Sequence, residues 1–279
     1  MKINPEKSRV EFSACLREEE RAAATVLVYS QCIIAFQKWL NERSVTKSTI
    51  LAYKSYLSGK YAPATVNLHI SALNSFFSHS ERGELRMKTL KLQKPIFLDR
   101  SKELTKLEYF RLVETAEQIG NLRLSLILQT LCSLGLRISE LKFITKEAAQ
   151  EGRAVINLKG KYRIAFLPEK LCLALLEFAN SQKIKNGPVF ITKNGNPIDR
   201  SNVWSDMKKL CQRANVSEEK VFPHNLRHLF ARTYYEKEKD IVRLADILGH
   251  SSVNTTRIYT MESGETHREQ IQNLDLLNC

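Results

Sequence analysis

Three short stretches of this 279-residue chain concentrate side chains that can handle a phosphate group. The first is Gly135-Leu136-Arg137-Ile138-Ser139-Glu140-Leu141, and the second is His224-Asn225-Leu226-Arg227-His228. The third is Leu248-Gly249-His250, with Tyr259 nine residues after the histidine. On a helix, His224 and Arg227 share a face, and so do Arg137 and Glu140. The carboxylate can therefore orient the guanidinium or simply pair with it. Guanidinium groups grip phosphate oxygens bidentately, so two arginines and two histidines could cradle a pentacoordinate phosphorane. A tyrosine oxygen is a competent phosphoryl acceptor when such cations hold the phosphate and stabilise the developing charge.

Each feature alone has a plainer reading. Arg137 and Glu140 would be a surface pair, and Tyr259 an amphipathic core residue. His224 and His228, with His250, could ligate zinc, but the H-E-x-x-H pattern requires a glutamate where Asn225 stands. No metal is expected. The six cysteines form no C-x-x-C pair, and most lie in apolar stretches such as Leu171-Cys172-Leu173, as core residues of a reducing compartment do. Only the joint occurrence of the three stretches outweighs these readings.

In this order the stretches resemble the boxes of the tyrosine recombinase (phage integrase, Xer-like) family. Leu248-Gly249-His250-Ser251-Ser252-Val253-Asn254-Thr255-Thr256-Arg257-Ile258-Tyr259-Thr260 is similar to the family's L-G-H…T-T-x-x-Y-T signature almost throughout. His224-x-Leu226-Arg227-His228 resembles its H-x-L-R-H box, and Gly135 to Leu141 its first arginine box. The resemblance implies that Tyr259 attacks the scissile DNA phosphate and becomes joined to the 3′ end. It implies that Arg137, Arg227 and His250 hold the non-bridging oxygens, that His224 assists proton removal, and that Glu140 and His228 support them. The family places a catalytic lysine in a β-hairpin, where Lys159 fits and Lys161 is the alternative. Neither ATP nor metal nor any other cofactor is implied. The implied partners are duplex DNA with inverted-repeat core sites and further copies of the chain, a dimer on each site and a tetramer in the synapse. A DNA-binding protein of the same fold without catalysis, and a type IB topoisomerase-like strand-passage activity, are the competing readings.

Composition agrees with a nucleic-acid partner. Forty-three Lys and Arg against thirty Asp and Glu give a net charge of +13, with a pI near 9.5. Residues 1–100 carry sixteen basic and nine acidic side chains, a net +7, and the remainder carries +6. The excess is spread over both halves. No apolar run approaches the roughly 18 residues of a membrane span, and the N-terminus lacks a signal peptide's apolar stretch, so a cytoplasmic protein is expected. From the length, no additional arm-binding domain is expected, and only core sites would be read.

The elements that must position these residues are mostly helical. Glu18 to Asn41 predicts one long amphipathic helix, with Val26, Tyr29, Ile33, Phe36 and Leu40 at three- and four-residue steps. Thr46 to Leu57 predicts a second helix stopped by Ser58-Gly59, and Pro63 opens a third that runs to Ser80. Residues 82–102 hold seven basic and two acidic side chains, as suits either an extended linker lying along phosphates through Lys88, Lys91 and Lys94 or an ordinary solvated connection. Thr105 and Glu108 form a capping box, Leu122 to Leu134 a buried helix ending near Gly135. Ala154–Leu158 and Tyr162–Leu167 form a hairpin around Lys159-Gly160-Lys161, Pro168 to Gln182 a helix, and Val189–Ile191 a short strand. The expected fold is mainly α with a small β-sheet. Residues 1–91 would form a helical core-DNA-binding (SAM-like) domain, 92–103 a basic linker, and 104–279 an α+β catalytic domain. A C-terminal segment carrying Ile271, Leu274, Leu276 and Leu277 would dock on its own domain or on a neighbouring protomer.

Overall fold

The computed structural model describes residues 5–41, 43–92, 100–158, 161–192, 194–259, 268 and 271–274. The chain divides into two compact units, Met1–Lys94 and Pro95–Cys279. Among the described residues no helix is long and apolar enough to cross a membrane.

The first unit is built from α1 (Pro5–Glu18), α2 (Ala23–Leu40), α3 (Lys47–Lys60) and α4 (Pro63–His79). The helix expected from Glu18 begins only at Ala23, because the chain turns between α1 and α2 with Glu20 at φ +56°. The turn lets α1 fold back and bury Phe12 and Leu16. Thr46 caps α3 by accepting the Thr49 N–H at 3.3 Å. Gly59 does not stop that helix, which runs on to Lys60. The stop comes from Pro63, whose ring disfavours helical geometry at Ala62, and Tyr61 is already extended. Ile33 and Phe36 of α2, Ile50 and Tyr53 of α3, and Ile70, Leu73 and Phe77 of α4 form the core.

After α4 the chain turns back and is fastened along it, so residues 82–90 are not a solvated connection. Leu85 and Met87 are buried. The Asn74 side-chain amide accepts from the Met87 N–H at 2.7 Å and donates to the Met87 carbonyl at 2.8 Å. Asn67 treats Leu90 in the same way, at 2.7 and 2.9 Å. Lys47 and Lys54 of α3 donate to the carbonyls of Arg86 and Lys88, each at 2.6 Å. The side chains of Lys88 and Lys91 remain exposed, while Lys94 lies outside the described residues.

The second unit comprises α5 (Lys106–Gln118), α6 (Leu122–Leu134), α7 (Lys146–Glu151), β1 (Arg153–Leu158), β2 (Lys161–Phe166), α8 (Glu169–Ser181), α9 (Arg200–Ala214), α10 (Pro223–Glu238), α11 (Ile241–Leu248) and α12 (Val253–Thr256). The Thr105–Glu108 capping box is formed on both sides, at 3.2 and 2.8 Å. Strands β1 and β2 pair antiparallel, with Ile156 opposite Arg163. Val189–Ile191 is not a strand. Only isolated bridges form there, Thr145 with Pro188 and Ile191 with Pro197. The core gathers Leu112, Leu128, Leu131, Leu175, Phe190, Val203, Met207 and Leu226 around α6. Of the cysteines described, Cys32, Cys132, Cys172 and Cys211 are buried and Cys15 is half-buried.

Candidate active site

Arg137 is the residue that enters a 3₁₀ turn, Ile138–Phe143, rather than standing on an α-helix. The turn still folds Glu140 back beneath it. Glu140 accepts from the Arg137 backbone N–H at 2.8 Å and from its Nη1 at 3.1 Å. The Glu140 carboxylate is 2% exposed, whereas the Arg137 side chain is 39% exposed. One end of the pair is thus fixed and the other open.

Arg227, on α10, has a fully buried side chain. Its Nη1 donates to the Gly135 carbonyl at 2.6 Å, and its Nη2 to the Leu248 carbonyl at 2.7 Å. These are carbonyls at the C-terminal ends of α6 and α11, which α-helices leave unpaired. Each of these helices ends at a left-handed glycine. Gly135 has φ +58°, and a Cβ there would meet the Phe230 ring at 2.4 Å. Gly249 has φ +64°, and a Cβ there would stand 2.7 Å from Arg163 Cδ. Burial pushes the Arg227 guanidinium down to about 10, so it stays charged at neutral pH.

The bonds made by His250 settle its tautomer. Its Nε2 lies 2.9 Å from Arg227 Nη2, which can only donate, so Nε2 accepts. The proton is then on Nδ1, which donates to Thr256 Oγ1 at 2.9 Å. Thr256 is fully buried. Desolvation, with the charges of Arg227 and Arg137, pushes His250 down to about 4. His228 is also pushed to about 4, by burial and then by His224 and Arg227, and its Nε2 is buried without a hydrogen-bond partner among the described residues. His224 is more exposed, yet desolvation and the two arginines lower it as well. All three rings are therefore neutral at pH 7.

Tyr259 closes the cluster. It is 6% exposed, packs with Ala231, Leu244 and Leu248, and sets its ring edge-on to His228 at 5.1 Å and parallel to His250 at 6.3 Å. Burial raises its pKa above 10, although the charge and hydrogen bond of Arg227 and the charge of Arg137 pull it down. The phenol is protonated at rest and would need a base to become a nucleophile. Arg137, Glu140, His224, Arg227, His228, His250 and Tyr259 are thus brought together. Lys159 lies outside the described residues, and Lys161 begins β2 with its side chain outside them. In the C-terminal segment Ile271 and Leu274 are exposed, and Leu276 and Leu277 lie outside the described residues.

Two members of the cluster were not singled out from the sequence. Thr256 was legible only as part of a signature. Arg163 had a signal of its own, since β2 carries its apolar residues Tyr162, Ile164 and Phe166 outward and its arginine on the half-buried inner side.

The buried histidines make stability depend on pH. Their folded-state pKa lies below the unfolded value, so the unfolded chain binds more protons between the two. Stability is complete above about pH 6.5 and is lost as pH falls toward about 4. Thermal melts over that range should show a falling Tm, and His228→Gln should flatten the fall. A variant that tracks wild type throughout would show that His228 titrates normally.

A helical unit, followed by a unit in which two arginines and three histidines surround a buried tyrosine, defines a class: the tyrosine-type site-specific recombinases. The phage integrase family model matches residues 102–265, and the model of the phage integrase N-terminal SAM-like domain matches residues 10–82. The chain belongs to the phage integrase family. The tyrosine recombinase XerA of Pyrococcus furiosus is 28% identical, over 96% of this chain and 93% of its own. XerH of Campylobacter jejuni is 35% identical over 57% of this chain and 47% of its own. In fold, the chain resembles a lambda integrase dimer bound to a COC′ core site, with a TM-score of 0.74 at 17% identity, covering 93% of this chain and 96% of that one.

Proposed function

We propose that this recombinase cuts and rejoins duplex DNA at inverted-repeat core sites through a 3′-phosphotyrosyl intermediate at Tyr259. The observation that carries the reading is the burial of the Tyr259 ring against His228 and His250, with its hydroxyl under the charge of Arg227. Arg137, Arg227 and His250 hold the non-bridging oxygens of the scissile phosphate. The Tyr259 oxygen attacks phosphorus, and the bond from phosphorus to the 5′ oxygen breaks. The phenolic proton passes toward His224, whose neutral ring can accept it. Lys159, or Lys161 beside it, protonates the departing 5′ oxygen. The 5′-hydroxyl of another strand then reverses the step, and the bond energy kept in the phosphotyrosine makes a cofactor unnecessary.

His250 has a further part in this sequence. At rest its Nε2 accepts from Arg227, so it can donate to a phosphate only after gaining a proton. An arriving anion favours that proton, and DNA binding is accompanied by proton uptake at this ring. Two protomers occupy each core site and four form the synapse, in the cytoplasm. The chemistry is the same whether the two sites bound a mobile element or lie on a dimeric replicon. A nicked duplex that loses its 5′ fragment on cleavage should trap a covalent adduct, with the nucleotide on the Tyr259 peptide by mass spectrometry. An adduct on any other residue would overturn the assignment.

The basic stretch after α4 supplies a separate test. Lys88, Lys91 and Lys94 are proposed to neutralise phosphates, each releasing close to one counterion. Changing all three to glutamine should flatten the slope of log affinity against log salt by roughly two to three units. Sequence preference should hardly change, since phosphate contacts position a protein without reading bases. An unchanged slope would mean that these lysines stay solvated on the DNA.

A further inference from the structure

Arg163 is the one guanidinium of the cluster that lies outside the three sequence boxes. It reaches the site from β2, where its pairing with Ile156 turns it to the inner face of the hairpin. Its side chain is 9% exposed. Nη2 donates to Glu140 Oε2 at 2.6 Å, and Nη1 donates to the Ile247 carbonyl at 2.5 Å. Its stem lies where a Cβ on residue 249 would have to be. One planar group therefore holds the turn that carries Arg137 and the turn that presents His250, and ties both to the hairpin.

Arg227 makes a parallel tie, from Gly135 to Leu248, between the same two segments. The two ties differ in what else they must do. Arg227 also bonds His250 and lies against the Tyr259 hydroxyl, whereas both amino groups of Arg163 are taken up by protein acceptors outside the tyrosine, and its buried Nε has no partner among the described residues. Glu140 lies among three guanidiniums, with Arg137 at 3.1 Å, Arg163 at 2.6 Å and Arg227 at 4.0 Å. Without Arg163, the buried carboxylate loses its shortest partner and draws Arg137 and Arg227 toward itself, away from a phosphate. We infer that Arg163 is a positioning residue for the phosphate grip: it occupies Glu140 and anchors the His250 turn so that Arg137, Arg227 and His250 remain aimed at the non-bridging oxygens.

The inference rests on the grip assigned to Arg137, Arg227 and His250, and the test separates the two. Strand cleavage by the full chain is measured on its core-site duplex with an ordinary scissile phosphate, and on the same duplex with a methylphosphonate there. The methylphosphonate lacks the negative oxygen that the grip neutralises. Arg163→Met should cleave the ordinary duplex roughly 30- to 100-fold more slowly, the scale expected when reacting groups are misplaced by about an ångström. On the methylphosphonate it should lose less than about 3-fold, with DNA affinity held within about 3-fold. The ratio of the two rates in one preparation does not depend on the folded fraction, so a destabilised variant remains informative. Arg163→Lys, which can serve Glu140 or Ile247 but not both, is the milder variant and should fall between. Equal losses on both duplexes, or no loss on the ordinary one, would overturn the role of Arg163. Arg137→Ala serves as the reference. If it too loses equally on both, the grip itself is misassigned, and the inference falls with it.

Discussion

Tyr259→Phe should bind core-site DNA as wild type does and form no covalent adduct. The substitution removes one oxygen and keeps the ring that packs on His228, His250 and Leu248, so the site should stay assembled. The cost is the hydroxyl's interaction with Arg227, a side chain whose Nε already lacks a partner among the described residues. That is a modest loss of stability beside the chemical effect. Removing a nucleophile from a preorganised site costs on the order of 10⁶-fold, so cleavage should vanish in a gel assay while the mobility shift remains. A DNA–protein adduct formed by the phenylalanine variant would sink the assignment. Tyr234 and Tyr235, which pack against the same small cluster, would then be next to test.

Arg227→Lys and Arg137→Lys should both cut cleavage by roughly 10²- to 10³-fold, because lysine keeps the charge but not the planar two-point grip. They should differ in stability. Arg227 is fully buried and donates to the Gly135 and Leu248 carbonyls and to His250. A lysine cannot serve all three, and a buried acceptor left unpaired costs about 1–3 kcal/mol. The second unit should then melt roughly 3–8 °C lower. Arg137 is partly exposed, and its firm contacts are with Glu140, so Arg137→Lys should shift the Tm by no more than about 2 °C. Near-wild-type cleavage in both variants would mean that neither arginine grips the phosphate. Equal thermal shifts would mean that Arg227 is not the tie described above.

Much of this site could be read before any coordinates, because its members fall in three contiguous boxes whose internal spacing is local. The Arg137–Glu140 pair, the Thr105–Glu108 capping box, the stop at Gly135 and the hairpin all depend on residues within a few positions of one another. What escaped depends on distance along the chain. Arg163 is 23 residues from Glu140 and 84 from Ile247, and no local period announces such bonds. The break between α1 and α2 is invisible to apolar spacing, which does not encode the left-handed backbone of Glu20. Residue type alone marks Gly59 as a helix stop, whereas the proline four residues later decides the matter. Val189–Ile191 has strand composition but meets no partner strand, only isolated bridges.

The two asparagines on α4 act as a vernier between two kinds of backbone. Asn67 and Asn74 are seven residues apart, about 10.5 Å along a helix. The residues they clasp, Leu90 and Met87, are three apart, about 10 Å along an extended chain. The helix face therefore imitates a sheet edge, each amide standing in for a neighbouring strand's carbonyl and N–H. Because the match is one of length, it tolerates side-chain changes at Lys88 and Thr89 but no change in residue count. Deleting either would leave one clasp engaged and shift the other by a full residue, so an insertion or deletion meant to adjust the reach between the units belongs after Leu90 rather than before it.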